Sequence, residues 1–158
     1  MLTFLGKYRD YAPLAIRLLL GTTLVFSHGI PKLLEGSERW EGSGRAMANL
    51  GITFAPVFWG FMVGFTEALA GLLFWLGLAV RPASALMLFV MFVAALNNVV
   101  NAGGLGGLAG GRAHPIDFAG GALALLILGA GAMSLDRKLG LEKPVSAQVP
   151  PSRSRVAV

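Results

Sequence analysis

The sequence predicts an all-α integral membrane protein folded as a four-helix bundle, and two observations support this fold class. Hydrophobic residues make up 55% of the chain and charged residues only 13%, with a mean hydropathy of +0.69. Soluble domains carry about 25% charged residues, so this chain has too few polar side chains to cover a water-facing surface. The second observation is that four apolar stretches approach the length of about 20 residues that a transmembrane helix needs.

The composition also excludes several classes of protein. A disordered chain needs the opposite bias, toward low hydrophobicity and high net charge. The chain has no cysteine, which excludes disulfides, thiol catalysis, and thiolate-bound metal or iron–sulfur centres. The net charge is +5, but the longest basic run is the pair Arg137-Lys138, and no basic patch is interleaved with aromatic residues. Nucleic acid is therefore not an expected partner.

Proline residues mark the ends of several predicted helices. The first span begins near Pro13, in agreement with the preference of proline for helix starts, and ends before Pro31. Arg17 interrupts the apolar region that a cleaved signal peptide needs, so we expect this span to be retained. The predicted spans cover about residues 13–30, 56–79, 82–100 and 115–133.

Two of the connections between spans carry specific expectations. Only a residue or two around Arg81-Pro82 separates the second span from the third, which predicts a tight antiparallel hairpin. The glycine-rich stretch 103–111 before the fourth span is predicted to be a flexible loop. It lacks the preceding strand and the following Gly-Lys-Ser/Thr sequence of a phosphate-binding loop.

The distribution of basic residues predicts the orientation in the membrane. With four spans, both termini and the loop between the second and third spans lie on one side. That side carries eight basic residues and the other carries four, so the positive-inside rule places both termini in the cytoplasm. The eight are Lys7, Arg9, Arg81, Arg137, Lys138, Lys143, Arg153 and Arg155, and the four are Lys32, Arg39, Arg45 and Arg112. Residues 1–140 are predicted to form the transmembrane domain, and residues 141–158 a disordered cytoplasmic tail.

Each predicted helix has one face of small and polar residues. Spacings of three and four residues place such side chains on one side of a helix, and small residues let helices approach closely. We therefore expect these faces to line the interior of the bundle. They contain Arg17, Gly21 and His28 on the first helix, Gly64, Glu67 and Gly71 on the second, Asn97, Asn98 and Asn101 on the third, and Asp117 and Gly121 on the fourth.

Glu67 is the most informative of these residues because it falls close to the predicted midplane of the bilayer. A carboxyl group at that depth is costly unless it is neutral or paired with a cation. One interpretation is an ion pair with Arg17, the basic residue inside the first predicted span, that fixes the register of the two helices. The other interpretation is a functional group that carries a proton or binds a ligand.

A second polar group lies near the predicted outer surface and allows three interpretations. Two histidines and a carboxylate can form a metal site, polar side chains can form a rim that hydrogen-bonds a quinone-like ring or a small anion, and the same residues can simply cap helices. The polar rim is weighed above the metal site, and no metal is predicted. The group contains His28, Lys32, Asn97, Asn98, Asn101, His114 and Asp117. No soluble catalytic motif is present, so any enzymatic chemistry would depend on a bound cofactor or a partner subunit.

Short motifs along the chain resemble those of the DoxX family of small bacterial membrane proteins. The resemblance covers about residues 14–139 and is carried by the order and spacing of the motifs. Two positions differ from the family pattern, since Thr53 and Ala130 stand where proline is usual. The motif residues are Arg17, Gly21, His28-Gly29 and Lys32, then Asn49-Leu50-Gly51-Ile52, then Glu67, Gly71, Gly77 and Arg81, and finally Gly129-Ala130-Gly131 and Ser134-Leu135-Asp136.

The resemblance implies a four-helix bundle in the bacterial cytoplasmic membrane. The family is related to the membrane subunit of a thiosulfate:quinone oxidoreductase, and some members associate with enzymes of oxidative-stress defence. It therefore implies quinone as the candidate cofactor and a redox protein as the candidate partner, with membrane lipid around the bundle. The chemical roles of the individual motif residues do not follow from it.

The leading functional hypothesis is an accessory membrane subunit that supports quinone-linked redox chemistry. In it, Glu67 is the catalytic, proton-handling residue, while Gly71, Arg81 and Asp136 are structural. The predicted quinone or small-ligand residues are Arg17, His28, Lys32, Asn97, Asn98 and Asn101. The competing hypothesis is a non-enzymatic membrane scaffold or assembly factor. A small-solute carrier is ranked last because the sequence shows no clear inverted repeat.

Overall fold

The computed structural model describes residues 3–110 and 114–142. Within these residues every regular element is a helix, which confirms the predicted all-α fold. The α-helices are α1 (Ala12–Thr22), α2 (Ile30–Leu34), α3 (Ser37–Gly44), α4 (Pro56–Leu76), α5 (Val80–Asn101), α6 (His114–Leu128) and α7 (Leu135–Lys138). The 3-10 helices cover Thr3–Tyr11, Arg45–Leu50 and Leu105–Leu108, and a π-helix covers Thr23–Gly29.

The membrane-spanning part consists of long helices and one shorter helix. Three helical stretches are long and apolar enough to cross a membrane, namely Gly6–Leu34, Pro56–Leu76 and Val80–Asn101. The apolar helix α6 has 15 residues. At a rise of 1.5 Å per residue this corresponds to about 22 Å, which is shorter than the hydrocarbon core of about 30 Å. The predicted helical membrane bundle is therefore confirmed, with a fourth helix that is short for a complete span.

The first span is continuous and extends past both of its predicted limits. The prediction that the helix ends before Pro31 is wrong, because α2 continues to Leu34. A proline inside an α-helix lacks a donor, and its ring collides with the carbonyl four residues earlier. The π-helix Thr23–Gly29 ends two residues before Pro31, and the Ile30 N–H donates to the carbonyl of Val25, five residues back. This wider turn displaces the carbonyls that the proline ring would otherwise meet.

The turn between α4 and α5 lies earlier in the chain than predicted. Gly77 ends α4 in the left-handed conformation with φ of 65°, and its N–H donates to the carbonyl of Phe74. Glycine adopts this conformation without a Cβ penalty. The turn therefore comprises residues 77–79, and the predicted turn residues Arg81 and Pro82 lie in the first turn of α5. Proline is tolerated there because the first N–H groups of a helix have no partner within it.

Helix α6 ends at Leu128, five residues before the predicted end of the fourth span. Gly129 follows with φ of +77°, which an α-helix cannot accommodate. Arg81 from α5 binds the carbonyls left open at this end, with Nη1 2.8 Å from the oxygen of Leu126 and Nη2 3.3 Å from that of Ile127. The early end is thus stabilised by a side chain from another helix, which the local sequence cannot indicate.

The first two residues of the predicted tail belong to the folded part of the chain. The carboxylate of Glu142 accepts a hydrogen bond from Nε of Arg81 at 2.6 Å and another from the N–H of Ala130 at 2.7 Å. The N–H of Leu141 donates to the carbonyl of Asp136 at 2.8 Å. The remainder of the predicted tail, residues 143–158, lies outside the described residues.

Helix α4 is the element against which the first span and α3 pack. Gly29 lies against the backbone of Ala68, and Gly44 against that of Pro56, so the first span and α3 run antiparallel to α4. A Cβ on either glycine would collide with that backbone, which is why small residues are needed. Helix α3 was not predicted. It follows a break at Gly36, which has φ of 84°.

The core lies where the first span, α4, α5 and α6 meet. Its fully buried members include Leu24, Phe74, Met87 and Leu125. The part of the glycine-rich stretch that the structure describes forms a turn and the 3-10 helix Leu105–Leu108, packed on α5 through Gly107. We call the end of the bundle at residues 77–79 the hairpin end, and the end at residues 37–55 the loop end.

Candidate functional site

An ion pair between Lys32 and Glu67 lies at the centre of the candidate site. The Nζ atom of Lys32 is 2.6 Å from Oε1 of Glu67. The side chain of Glu67 is 2% exposed and that of Lys32 is 30% exposed. The interpretation of an ion pair between Arg17 and Glu67 is therefore wrong, because Glu67 binds Lys32 and Arg17 binds elsewhere.

Several local features bring Lys32 to Glu67. Because the helix continues through Pro31, Lys32 lies on α2 instead of in an outer loop. Gly64 lies one turn before Glu67 on α4, and a Cβ built on it would be 3.1 Å from Cβ of Lys32, so a glycine leaves space for the lysine stem. The indole N–H of Trp40 donates to the carbonyl of Lys32 at 2.7 Å and ties α2 to α3.

The ion pair borders a cavity of about 180 Å³ at the loop end, which we call the chamber. A cavity of about 15 Å³ suffices for one water molecule, so the chamber can hold a small organic group. Helices α2, α3, α4 and α5 and the 3-10 helix Arg45–Leu50 enclose it. Its lining consists of Lys32, Ser43, Ala46, Met47, Val63, Glu67, Val90, Val93, Ala94, Asn97 and Asn98.

The polar groups of the chamber include both donors and acceptors. Oε2 of Glu67 is buried and has no hydrogen-bond partner within the part of the chain that the structure describes. Oδ1 of Asn97 accepts a hydrogen bond from Nδ2 of Asn49 at 3.1 Å, which joins α5 to the segment Arg45–Leu50. Ser43 adds a hydroxyl group to the lining. Ammonium, amide and hydroxyl donors thus lie in one cavity with a carboxylate that retains accepting capacity.

The structure brings together some of the sequence-predicted ligand residues and separates others. Lys32, Asn97 and Asn98 line the chamber with Glu67. His28 does not line it and instead packs edge-on against Phe118 of α6, with ring centroids 4.9 Å apart. Asn101 is exposed at the end of α5. The metal-site interpretation is not supported, because no cluster of three histidine or acidic residues suited to a metal occurs among residues 3–110 and 114–142.

Sequence reasoning missed three residues at the loop end. Ser43 and Met47 line the chamber, and Asn49 holds Asn97. All three lie between the first two predicted spans, where the sequence indicates only a polar connection. Asn49 is part of the motif Asn49-Leu50-Gly51-Ile52, and this is the one signal that could have pointed to it.

Arg17 lies at the hairpin end and is fully buried. Its Nη2 donates to the carbonyl of Met133 at 3.3 Å, and the carboxylates of Asp136 and Glu142 interact with it electrostatically. Its Nη1 lies against Gly77, where a Cβ would collide with the guanidinium. Gly77 therefore has two roles: it adopts the left-handed conformation of the turn, and it leaves space for the guanidinium of Arg17.

The other charged motif residues also fasten the hairpin end. Asp136 accepts hydrogen bonds from the N–H groups of Ala79 at 2.7 Å and Val80 at 2.9 Å, and so caps the start of α5. A carboxylate is favourable at this end of a helix because it binds unpaired N–H groups and faces the positive end of the helix dipole. Arg81 and Glu142 form an ion pair at 2.6 Å. Together with Arg17, these side chains hold residues 129–142 against the turn at 77–79.

The small motif residue Gly71 provides a close approach between α1 and α4. A Cβ on Gly71 would be 2.9 Å from the carbonyl oxygen of Gly21 and 2.6 Å from Cγ2 of Val25. The motif residues therefore divide into two groups. Lys32 and Glu67 border the chamber, whereas Arg17, Gly71, Arg81 and Asp136 hold helices and loops together.

Comparison with known proteins identifies the family but no individual relative. No curated protein and no solved structure matches the chain. A family model described as DoxX matches residues 12–100, which is more than half of the chain. The matched region contains most of the first span, α3, α4 and most of α5, and therefore Lys32, Glu67 and Asn97 of the chamber. The chain belongs to the DoxX family.

Proposed function

We propose that this protein is an accessory membrane subunit that binds a quinone head group in the chamber and exchanges a proton with it through Glu67. The proposed location is the bacterial cytoplasmic membrane, with both termini in the cytoplasm. The observation that carries the proposal is the Lys32–Glu67 pair, because one carboxylate oxygen is used by Lys32, the other has no partner among the described residues, and Glu67 lines the chamber.

The side chains of the chamber fit a quinone head group. The ring oxygens accept hydrogen bonds in the oxidised form, and the Lys32 ammonium and the amides of Asn97 and Asn98 are donors in the same cavity. In the reduced form they are hydroxyl groups, for which Oε2 of Glu67 is an acceptor. A bound quinone supplies two-electron, two-proton redox chemistry.

Glu67 and Lys32 can manage the proton that accompanies that chemistry. One of the two protons of quinone reduction would pass through Glu67, which binds it at Oε2 and releases it to a ring oxygen, while the ammonium of Lys32 stays hydrogen-bonded to Oε1 and orients the group. The other proton would come from water. Because Lys32 is partly exposed whereas Glu67 is buried, the positive charge that balances the carboxylate lies on the more accessible side of the pair. The chain contains no cysteine, and in this proposal a partner redox protein supplies the electrons.

A second candidate function is a non-enzymatic scaffold or assembly factor. It is favoured by the hairpin end, where four charged side chains hold the ends of three helices together. These are Arg17, Arg81, Asp136 and Glu142, and none of them lines the chamber. In this alternative, the Lys32–Glu67 pair only fastens α2 to α4.

Direct binding distinguishes the two functions. The protein in lipid nanodiscs is titrated, under reducing conditions, with the hydroquinone form of a quinone that carries a single isoprenoid unit. Glu67→Gln should weaken binding by about tenfold, because a hydrogen bond to a charged group contributes about 1.5 kcal/mol or more. The matched control is Glu41→Gln, which alters a carboxylate that is paired with Arg45 but exposed and outside the chamber. Binding no stronger than that of empty nanodiscs would reject the quinone role and leave the scaffold function.

A further inference from the structure

A second cavity lies on the membrane-facing side of the bundle, between α4 and α5. Its volume is about 450 Å³, and we call it the groove. Phe58, Phe65, Leu86 and Phe89 on its rim are between 43% and 51% exposed, as expected for side chains that face lipid. The complete lining is Met47, Phe58, Trp59, Met62, Val63, Phe65, Thr66, Leu69, Leu86, Phe89, Val90 and Val93.

The groove and the chamber share a wall. Met47, Val63, Val90 and Val93 line both cavities. Of these, Met47, Val90 and Val93 are buried, at 6%, 9% and 6% exposure. A polar cavity that contains the ion pair thus adjoins an almost wholly apolar cavity that faces the bilayer.

The chemistry of the two cavities matches an amphipathic molecule. The chamber offers an ammonium, amides and a carboxylate, and the groove offers aromatic and aliphatic side chains. The tail of such a molecule is attached at one edge of its head group, and the shared wall is the side of the chamber that adjoins the groove. Met47 in this wall is an unbranched, flexible side chain, which can change rotamer at small cost to let a chain pass.

We propose that the ligand of the chamber is a long-chain polyisoprenoid quinone, whose tail lies in the groove and which enters from the bilayer between α4 and α5. This inference rests on the proposed function and specifies its ligand class. The groove is assigned to the tail of the same molecule because it adjoins the chamber across a wall of four shared residues. Because lipid is about as apolar as the groove, moving the tail from lipid into the groove gains little hydrophobic free energy. The groove instead fixes the position and orientation of the tail.

The test compares tail lengths in variants that fill the groove. Leu69→Trp on α4 and Leu86→Trp on α5 place a large ring in the groove without changing the chamber lining. The matched control is Leu72→Trp, because Leu72 is a lipid-facing leucine of α4 with 45% exposure, close to the 39% of Leu69, and lies outside the groove. Each variant, in phosphatidylcholine nanodiscs, is titrated with the single-isoprenoid quinone and with a long-chain polyisoprenoid quinone, and its thermal stability is measured.

Filling the groove should weaken binding of the long-chain quinone by about tenfold and that of the short-chain quinone by less than about twofold. A large ring in the groove excludes a tail that must lie there while the head group occupies the chamber, and a tenfold loss of affinity corresponds to about 1.4 kcal/mol. Leu72→Trp should leave both affinities unchanged. The second groove variant keeps the test decisive should one of the two fail to fold.

Two results would overturn this inference without rejecting the proposed function. Equal effects of the groove variants on both quinones would mean that the groove does not hold the tail. Unchanged quinone affinity with loss of co-purified phospholipid would assign the groove to an acyl chain. Failure of the wild-type protein to bind the short-chain quinone would instead reject the proposed function, and this inference with it.

Discussion

The unequal burial of Lys32 and Glu67 predicts that the two halves of their ion pair contribute unequally to stability. Lys32→Met leaves the Glu67 carboxylate buried at 2% exposure with neither oxygen paired among the described residues. Glu67→Gln leaves the ammonium of Lys32, which is 30% exposed and can turn toward the chamber and solvent. The double variant leaves no charge at the site. We therefore expect Lys32→Met to destabilise the fold more than Glu67→Gln, and the double variant to be close to Glu67→Gln.

The expected magnitudes follow from the burial of each partner. Breaking a buried pair costs about 3–5 kcal/mol, so Lys32→Met should cost about 3 kcal/mol. Glu67→Gln keeps the shape and one acceptor, and should cost about 1 kcal/mol. If the double variant also costs about 1 kcal/mol, the coupling free energy between the two side chains is about 3 kcal/mol.

The assay is a double-mutant cycle on the free energy of unfolding, measured by reversible unfolding of the purified protein in mixed micelles. The internal control is the Arg45–Glu41 pair on the surface, which has a similar separation of 2.7 Å but exposures of 73% and 43%. Exposed pairs four residues apart contribute about 0.3–0.5 kcal/mol, so its coupling should be several times smaller. Additive effects at Lys32 and Glu67, or a larger loss from Glu67→Gln than from Lys32→Met, would refute the reasoning.

Three further predictions concern the remainder of the fold. Asp136→Ala removes both hydrogen bonds that cap α5 and should lower the free energy of unfolding by about 1–2 kcal/mol in the same assay. Gly29→Leu should abolish the monodisperse folded species in size-exclusion chromatography because its side chain meets the backbone of α4, whereas Gly120→Leu, which faces open space, should not. Topology reporters placed after Leu139 and near Gly106 should be cytoplasmic and external, respectively, and a reversed pattern would contradict the orientation derived from the basic residues.

The sequence predicts the membrane helices because apolar runs of sufficient length have few alternatives in a bilayer. The ends of those helices are less predictable, since they depend on residues distant in sequence. Arg81 binds the carbonyls at the end of α6, 45 residues away along the chain at its closest contact. No local signal around Leu128 indicates that a guanidinium will be present there.

The interpretation that Arg17 pairs with Glu67 is wrong for a geometric reason. Helical periodicity identified the correct face of α4, but periodicity contains no information on the relative level of two helices along the bundle axis. Arg17 contacts Gly77, ten residues beyond Glu67 on α4, which corresponds to about 15 Å. Lys32 reaches the level of Glu67 because the π-helix allows the first span to continue through Pro31. Sequence rules that end a helix at a proline place Lys32 outside the membrane instead.

The chamber residues Ser43 and Met47 could not be predicted because their position depends on how the connection after the first span folds back. Helix α3 is short and polar, and it is held on α4 by backbone contacts at Gly44 and Gly60. Such contacts depend on the absence of side chains, and a glycine in a polar connection is equally compatible with a loop.

The two charged clusters differ in a way that bears on which one is functional. Both contain buried polar atoms without a hydrogen-bond partner within the described residues, namely Nε and Nη1 of Arg17 and Oε2 of Glu67. Leaving such atoms unpaired costs free energy, so each needs a reason. Arg17 is enclosed by Gly77 and does not line the cavity of about 240 Å³ at its end of the bundle, whereas Glu67 borders a chamber that adjoins a lipid-facing groove. The nearby carboxylates compensate the charge of Arg17 from within the fold. A group that enters the chamber can complete the hydrogen bonding of Glu67, and this difference favours the loop end as the site of function.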